Sequence, residues 1–298
     1  MKKADTGLAI FAALFCAQFA FGVFPVIGKI ALVSIPPLPF ALFRVGGASL
    51  LLFVLRRFLP REAIARADWP AILLLSLLGV TVNQIFFIEG LSRSTAINAT
   101  LLMVTIPVLT LGVALLLRQE EATPRKLAGC VLALAGALVL LGAHRFDWSS
   151  RLFVGDVLLL VNATAYSFYL VLSRPILRKY SAALFTNVTF AVGAVPVAVI
   201  AAAPLASLRW ETVEPRAWLC LGLVIVFPSA LAYLLNAWAL GRTDASRVAL
   251  FVTLQPAVAT VFAMVLLGER PTGKTALSAG LIVAGLVLAH PRLPRRNP

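Results

Sequence analysis

An apolar block that occurs twice is the feature of this chain that most limits how it can fold. From Leu91 to Leu140 the sequence reads as an apolar run with a proline, a charged turn and an apolar run with a glycine, and the stretch from Leu240 to Ala289 repeats that plan. With Pro107 aligned on Pro256, the two copies also share Arg93/Arg242, Glu120/Glu269, Thr123/Thr272 and Gly136/Gly285. Chance aligns many Leu and Ala in so apolar a chain, but it rarely aligns Pro, Arg, Glu, Thr and Gly as well. We interpret the pattern as an internal duplication.

The composition predicts that both copies lie in a membrane. The chain is 61% hydrophobic with a mean hydropathy of +0.97, whereas soluble domains are roughly 45–50% apolar. Apolar windows of about 20 residues, each long enough to cross a bilayer, follow one another along the sequence. The first window, Leu8 to Ile30, is longer than the apolar core of a signal peptide, so we expect it to be the first span.

Ten transmembrane helices fit this pattern. The expected spans are Leu8–Leu32, Leu38–Leu59, Trp69–Ile88, Thr95–Leu117, Leu127–Ala143, Val154–Ser173, Ala182–Ala203, Ala217–Leu240, Ala245–Leu267 and Thr275–His290. Most of the 26 Lys and Arg then fall on the side of the amino terminus, which the positive-inside rule assigns to the cytoplasm. We therefore expect a multi-pass protein of the cytoplasmic membrane with both termini inside. The net charge of +14 reflects this topology and does not indicate a nucleic-acid partner.

The spacing of the two copies predicts their relative orientation. An odd number of expected spans separates Pro107 from Pro256, so the second copy crosses the membrane in the opposite sense to the first. The predicted fold is thus an all-α membrane protein of ten transmembrane helices in two inverted five-helix repeats, residues 1–148 and 149–298. Inverted repeats are the architecture of secondary transporters, whose substrate site lies between the halves near the bilayer midplane.

Several short motifs make the chain resemble the EamA family of the drug/metabolite transporter superfamily. They are Gly22 and Lys29 in the first span, Leu42-Phe43-Arg44 in the second, Pro107-Val108 with Glu120 and Thr123, Pro256, Leu267-Gly268-Glu269-Arg270-Pro271-Thr272, and Ala284-Gly285. The resemblance implies two five-helix repeats and a carrier of small metabolites, often an exporter of amino acids or related compounds. The sequence departs from the family at Phe21 and Tyr166, where Trp is frequent, and at Thr189, where the symmetry partner of Arg44 would be Arg.

Polar residues recur at helical spacing within two of the expected spans. Gln18, Gly22 and Pro25 fall on one face of the first span, and Gly22 and Pro25 weaken the backbone bonding there and allow a bend. Gln18 lies near mid-bilayer, where it either lines a pathway or holds two helices together by a hydrogen bond. The sixth span carries Asn162, Tyr166 and Tyr169 on one face. Buried phenols need partners, so these residues predict a polar or wet surface.

The second half adds further candidates. Tyr233 aligns with Gln84 of the first half, Asn236 follows one turn later, and Gln255 directly precedes Pro256. We expect most of this polar set to line a central substrate cavity, and the alternative is that it only locks helices together. Pro107 and Pro256 interrupt matching helices, which points to a site at the repeat interface and to a gating role. A kink needed only for packing is the alternative for each proline.

Arg44 is the only cation well inside an expected span. Ionisable groups at that depth are functional candidates. One alternative is a structural ion pair with Glu89, and the other is a role in binding a substrate carboxylate. No Asp, Glu or His falls near the middle of a span, so strongly cationic solutes are disfavoured and neutral, zwitterionic or aromatic ones are favoured.

The predicted function is therefore export of a small metabolite by alternating access, without catalysis, cofactor or metal. The expected partners are the solute and the lipid bilayer, with the protein a monomer or homodimer. Two alternatives remain at this point. A membrane-embedded enzyme acting on a lipid-linked substrate needs a nucleophile with a base or a metal cluster, and a non-transporting assembly subunit needs a sealed interior.

Overall fold

The computed structural model describes residues 2–118, 123–141, 150–243 and 245–289. Within those ranges every regular element is a helix, which confirms the all-helical class. The helices of the first half are α1 (Lys2–Ala31), α2 (Pro37–Arg56), α3 (Trp69–Ser76), α4 (Asn83–Arg93), α5 (Ala96–Met103), α6 (Ile106–Leu116) and α7 (Pro124–Leu141). Those of the second half are α8 (Arg151–Leu177), α9 (Ala182–Ala206), α10 (Pro215–Val224), α11 (Ala232–Leu240), α12 (Ala245–Phe251), α13 (Gln255–Leu267) and α14 (Gly273–Ala289).

Seven helical stretches of the described residues are long and apolar enough to cross a bilayer. They are Gly7–Ala31, Pro37–Arg56, Arg66–Arg93, Ala96–Leu116, Arg151–Leu177, Ala182–Ala206 and Pro215–Leu240. The fifth, ninth and tenth expected spans correspond to α7, α12 with α13, and α14, so the count of ten crossings stays a prediction. The expected span ends at Ala143 and His290 and the boundary between residues 148 and 149 lie outside the described residues.

The third and eighth expected spans both contain a wide turn in mid-helix. Leu77–Val82 joins α3 to α4, and Ile225–Leu231 joins α10 to α11, each with π-helical bonding. A π-helical turn inserts an extra residue and rotates the side chains that follow it, and such turns are frequent at functional sites. They set the direction in which α4 and α11 project their side chains, and α4 and α11 carry Gln84 and Tyr233.

The expected break at two of the three prolines coincides with a real interruption. α5 ends at Met103 and α6 begins at Ile106, and a 3₁₀ turn over Val252–Leu254 separates α12 from α13. Pro107 and Pro256 are each the second residue of the new helix, where the missing N–H costs no hydrogen bond. At Pro25 there is no break, since α1 runs through it as one helix, and the bend that Gly22 and Pro25 allow stays a prediction. One lost backbone bond is tolerated there because α1 is packed against several other helices.

Packing joins helices that correspond in the two halves. α2 lies along α9, and α7 lies along α14. Phe40 and Phe185, at matching places on α2 and α9, are both fully buried in the main core. Large apolar side chains such as Leu50, Phe53 and Val199 point outward from the same helices, as expected for faces that contact lipid.

Candidate functional site

A small cavity lies in the middle of the bundle, where helices from both halves meet. Its volume is about 50 Å³, space for roughly three to five water molecules. The lining residues are Gln18, Phe21, Phe24, Arg44, Asn83, Gln84, Phe87, Met103, Ile106, Asn162, Tyr166, Tyr233 and Gln255. Most polar residues singled out from the sequence therefore face one space, surrounded by aromatic side chains.

Arg44 supplies the one formal charge among the described residues that line the cavity. It is 2% exposed, and its partners are neutral. Its Nε donates to the Ser229 hydroxyl at 2.7 Å, its Nη1 donates to the Gln84 side-chain oxygen, and its guanidinium carbon lies 3.9 Å from the centre of the Phe24 ring. Placing an Arg at the centre of a membrane helix costs about 2.5–3.5 kcal/mol on insertion scales. Hydrogen bonds to a charge and a desolvated cation–π contact offset that cost by about 1.5–3 and 2 kcal/mol each.

The ion pair between Arg44 and Glu89, one of the two alternatives for Arg44, does not form. Glu89 bonds instead to Arg93, one turn further along α4. A neighbour at i+4 is available as soon as the helix forms, so this local pair takes the carboxylate. Among the described residues no carboxylate pairs with Arg44, and its charge inside the cavity is compensated by dipoles only.

A directional chain of hydrogen bonds runs from Arg44 to the second half. Gln84 accepts from Arg44 and donates to the Tyr233 hydroxyl at 2.7 Å, and Tyr233 donates to the side-chain oxygen of Asn83 at 2.9 Å. The backbone oxygen of Asn83 accepts from Asn162 at 2.6 Å. The two equivalent positions, Gln84 and Tyr233, are therefore direct partners across the bundle.

A second chain crosses the bundle through four helices. Gln255 donates to the Gln18 side-chain oxygen at 2.6 Å, Gln18 donates to Asn236 at 3.3 Å, and Asn236 donates to the Tyr166 hydroxyl at 2.8 Å. Gln18 therefore lines the cavity and also joins α1 to α11 and α13. Asn236 acts through this chain and is not one of the cavity-lining residues.

A larger cavity of the bundle has a volume of about 1020 Å³. It is lined by Cys16 on α1 and by Leu235 and Ala237 on α11, and its other walls include Leu177 and Tyr180 at and just after the end of α8.

Five more of the predicted positions stand apart from the cavity lining. Tyr169 packs by its ring against Tyr166 and Phe185, with ring centres 5.6 and 6.0 Å apart, and it covers Gly79 on the opposite helix. Gly22 allows a close approach of α1 to α13, since a Cβ there would lie 3.1 Å from the Gln255 backbone oxygen. Pro25, Pro107 and Pro256 also lie outside the lining, and their gating role stays a prediction.

The sequence analysis missed several residues of the site. Asn83 and Ser229 hold Tyr233 and Arg44, and Phe24 and Phe87 stack on each other with ring centres 5.0 Å apart. The polar pair Asn83-Gln84 in mid-span was a usable signal for the first. Ser229 lies in the π-helical turn, whose side-chain directions no regular periodicity predicts.

The chemistry of the site is that of recognition. Amides, phenols, aromatic rings and one guanidinium form its wall, and none of the lining residues is a nucleophile beside a base. Within the described residues no three His, Cys, Asp or Glu side chains come together in an arrangement that could hold a metal ion.

Comparison with known proteins gives a consistent result. The model of a family described as the EamA-like transporter family matches residues 8–142 and 153–290. An uncharacterized transporter of Archaeoglobus fulgidus is 32% identical over 268 residues, which cover 87% of this chain and 90% of that protein. A probable terminal-alkyne amino-acid exporter of Streptantibioticus cattleyicolor is 28% identical and covers 77% of this chain and 76% of its own. A crystal structure with a TM-score of 0.63 and 23% identity covers 93% of this chain and 95% of its own, and it shows the same fold.

Proposed function

The chain belongs to the EamA-like transporter family, and from that membership we propose that it exports a small metabolite across the cytoplasmic membrane by alternating access. The proposed solutes are amino acids and related neutral, zwitterionic or aromatic compounds. The amino-acid exporter among the relatives supports both the solute class and the direction. We propose no catalytic step, because the site offers recognition groups only.

The observation that carries this proposal is the polar cavity buried in an apolar bundle. Polar side chains inside a membrane are costly unless they are paired, and they mark solute pathways more often than they serve packing alone. Here they converge from helices of both halves on one space, which is where inverted-repeat carriers bind their solutes. A protein that served only as an assembly subunit would gain nothing from such a space.

The proposed architecture is two inverted five-helix repeats, residues 1–148 and 149–298, with ten crossings and both termini in the cytoplasm. The matching π-helical turns, the matching breaks before Pro107 and Pro256, and the pairing of α2 with α9 and α7 with α14 support it. Two halves built alike can rock against each other about the cavity, so that either side opens while the other closes.

Transport by the purified protein tests the proposal. Proteoliposomes loaded with a mixture of amino acids and related metabolites are expected to release at least one of them faster than protein-free liposomes with the same load. Gln84→Ala and Tyr233→Ala are expected to slow that release at least tenfold while the proteins still elute as folded species. Thr189→Val is the matched control, since the Thr189 hydroxyl donates only to backbone oxygens of its own helix. Unchanged release by both cavity variants would contradict the site, and no release of any solute would contradict the function.

A further inference from the structure

The cavity wall carries two groups that the described residues pair only in part. One is a guanidinium without a carboxylate, and the other is an amide oxygen without a hydrogen-bond donor. Arg44 is a buried cation without a carboxylate partner among the described residues. Asn162 is 1% exposed, and its Oδ1 accepts no hydrogen bond from any described residue. Its Nδ2 donates to a backbone oxygen at 2.6 Å, which fixes the amide orientation because a carbonyl oxygen could not bond there. The free acceptor thus results from the geometry.

These two groups lie on either side of one short segment of α4. Arg44 bonds to Gln84, and Asn162 bonds to the backbone of the preceding residue, Asn83. Both side chains line the same cavity. A cation and a free acceptor that line the same small cavity match a solute that carries both an anion and a hydrogen-bond donor.

We infer that the cavity is a two-point site for the head group of an α-amino acid, with the carboxylate on Arg44 and the ammonium on the Oδ1 of Asn162. This inference rests on the proposed transport function and narrows its solutes to zwitterions. A guanidinium presents parallel N–H groups that fit the two oxygens of a carboxylate, and an ammonium satisfies the one buried acceptor that lacks a donor. An amine without a carboxylate keeps only the contact with the Oδ1 of Asn162 and is repelled by the charge of Arg44.

The size and walls of the cavity fit a head group. Space for about 50 Å³ admits the polar end of an amino acid, and the solute side chain needs the aromatic walls to part. Phe24, Phe87 and Tyr233 would then contact it through ring faces. Gln84 must release Arg44 to a carboxylate, and its bond to Tyr233 links that release to the second half.

Binding to the purified protein in lipid nanodiscs tests the two points separately. The probes are the twenty protein amino acids, each tested singly by its effect on thermal unfolding. For the one that binds best, the decarboxylated amine and the acid lacking the amino group are tested as well. At least one amino acid is expected to bind at least tenfold more tightly than either of its analogues.

Two variants should divide the site in opposite ways. Arg44→Gln is expected to weaken binding of the amino acid and of the acid at least tenfold and to strengthen binding of the amine, because the charge that repels it is gone, with Arg44→Lys intermediate. Asn162→Ala is expected to weaken the amino acid and the amine and to leave the acid unchanged. Binding of the amine as tight as that of the amino acid, or of none of the twenty probes, would overturn the inference. Release of other solutes from proteoliposomes would in that case leave the transport function standing.

A different observation carries a second inference, at the end of the bundle where α4 gives way to α5. The Glu269 carboxylate accepts from the backbone nitrogens of Ala96 and Ile97 at 2.9 and 3.0 Å, so a turn of the second half caps a helix of the first half. Gly268, at φ 67°, ends α13 in a left-handed turn, and the Glu269 nitrogen bonds back to Ala263 at 3.2 Å. The backbone thus aims this carboxylate at α5.

The two ends of the bundle differ in how they are closed. At the start of the third expected span, Asp68 bonds to Tyr180, which also lines the cavity of about 1020 Å³. At the other end of the same span, Glu269 ties α13 to α5. We propose that the Glu269 bond is the latch that closes the cavity toward this end, and that solute leaves there only after the carboxylate releases α5.

Labelling of an introduced cysteine tests the latch. In a protein in which Cys16, Cys130 and Cys220 are changed to Ala, Phe87→Cys places a thiol on the cavity wall near the α4–α5 turn. Glu269→Gln is expected to raise its labelling rate by a bulky maleimide at least fivefold. Thr95→Ala is the control, because the Thr95 hydroxyl caps the same helix from inside it, by accepting from Asn98 at 3.0 Å. Met103→Cys is a second reporter if the first variant does not fold. Equal labelling rates in Glu269→Gln and Thr95→Ala would overturn the proposal.

Discussion

Arg44 on α2 and Thr189 on α9 stand at equivalent places, since each follows a fully buried phenylalanine by one helical turn. Their side chains behave differently. Thr189 donates to the Phe185 and Thr186 carbonyls of its own helix at 2.9 and 3.2 Å, whereas Arg44 reaches across to Ser229 and Gln84. The two copies therefore share a backbone frame, and their differing side chains make the site one-sided. A duplicated scaffold carries a single charge at one of two equivalent positions only where the two copies differ in sequence.

The equivalent positions Gln84 and Tyr233 show the complementary case. Here the two copies differ in residue type and bond directly to each other at 2.7 Å. An amide can both accept from the guanidinium and donate to the phenol. A phenol can accept from the amide and donate its own hydrogen bond to Asn83. These two unlike residues thus form an ordered chain of hydrogen bonds from Arg44 to Asn83.

The largest expected effect is that of substituting Arg44, the residue in which α2 differs most from the equivalent place on α9. Arg44→Met removes the only charge among the described residues of the cavity wall, so transport of carboxylate-bearing solutes is expected to fall about 100-fold. That factor corresponds to the loss of a hydrogen bond to a charge, worth about 3 kcal/mol. Stability is expected to stay within about 1 kcal/mol or to rise, because a buried ion exchanged for an apolar residue of similar volume relieves desolvation.

Proteoliposome transport and thermal unfolding of the same preparations measure both quantities. Thr189→Val, at the equivalent place, is the control, with transport within about twofold of the parent. A strong fall in the stability of Arg44→Met would mean that Arg44 holds the fold, and the contrast between α2 and α9 would then be one of packing.

The next largest effect is expected at Tyr233. Tyr233→Phe deletes a hydroxyl that accepts from Gln84 and donates to Asn83. The expected loss is about 1–2 kcal/mol of unfolding free energy and about tenfold in transport. Tyr169→Phe is the matched comparison, because that tyrosine contacts its described neighbours through its ring. Equal losses in both variants would show that the tyrosine cluster as a whole, and not the bond to the first half, sustains transport.

How far the sequence predicts this site depends on the kind of interaction. Gln18, Gln84, Asn162 and Tyr233 are predictable because polar residues deep in apolar runs must find one another. The partner of Arg44 is not, since Glu89 has a neighbour at i+4 that forms a pair within the same helix. Hydropathy also carries no information on backbone bonding, so the π-helical turns, and with them Ser229, follow only from the three-dimensional packing.

A graded effect on stability is expected where each half packs its helix on the π-helical turn of the other. A Cβ on Gly47 would lie 2.7 Å from the Cδ1 of Ile225, and a Cβ on Gly193 would lie 2.6 Å from the Cβ of Val80 and 3.0 Å from the Ser76 backbone oxygen. The end of an isoleucine side chain can turn away, whereas a backbone oxygen cannot. Gly193→Ala is therefore expected to lose about 2–3 kcal/mol and Gly47→Ala about 1 kcal/mol, within the usual range for overpacking.

Gly46 provides the internal control for both substitutions, because no atom lies within 4 Å of a Cβ added there. Gly46→Ala is expected to gain up to about 1 kcal/mol from helix propensity alone. Thermal unfolding in one detergent gives all three values on one scale. The expected order of stability, Gly46→Ala above Gly47→Ala above Gly193→Ala, tests whether the two helix–turn contacts tolerate an added methyl group unequally. An equal loss of stability at Gly47 and Gly193 would mean that the Ile225 side chain has no room to move. The two π-helical turns would then be packed equally tightly against α2 and α9, although the contacting residues differ.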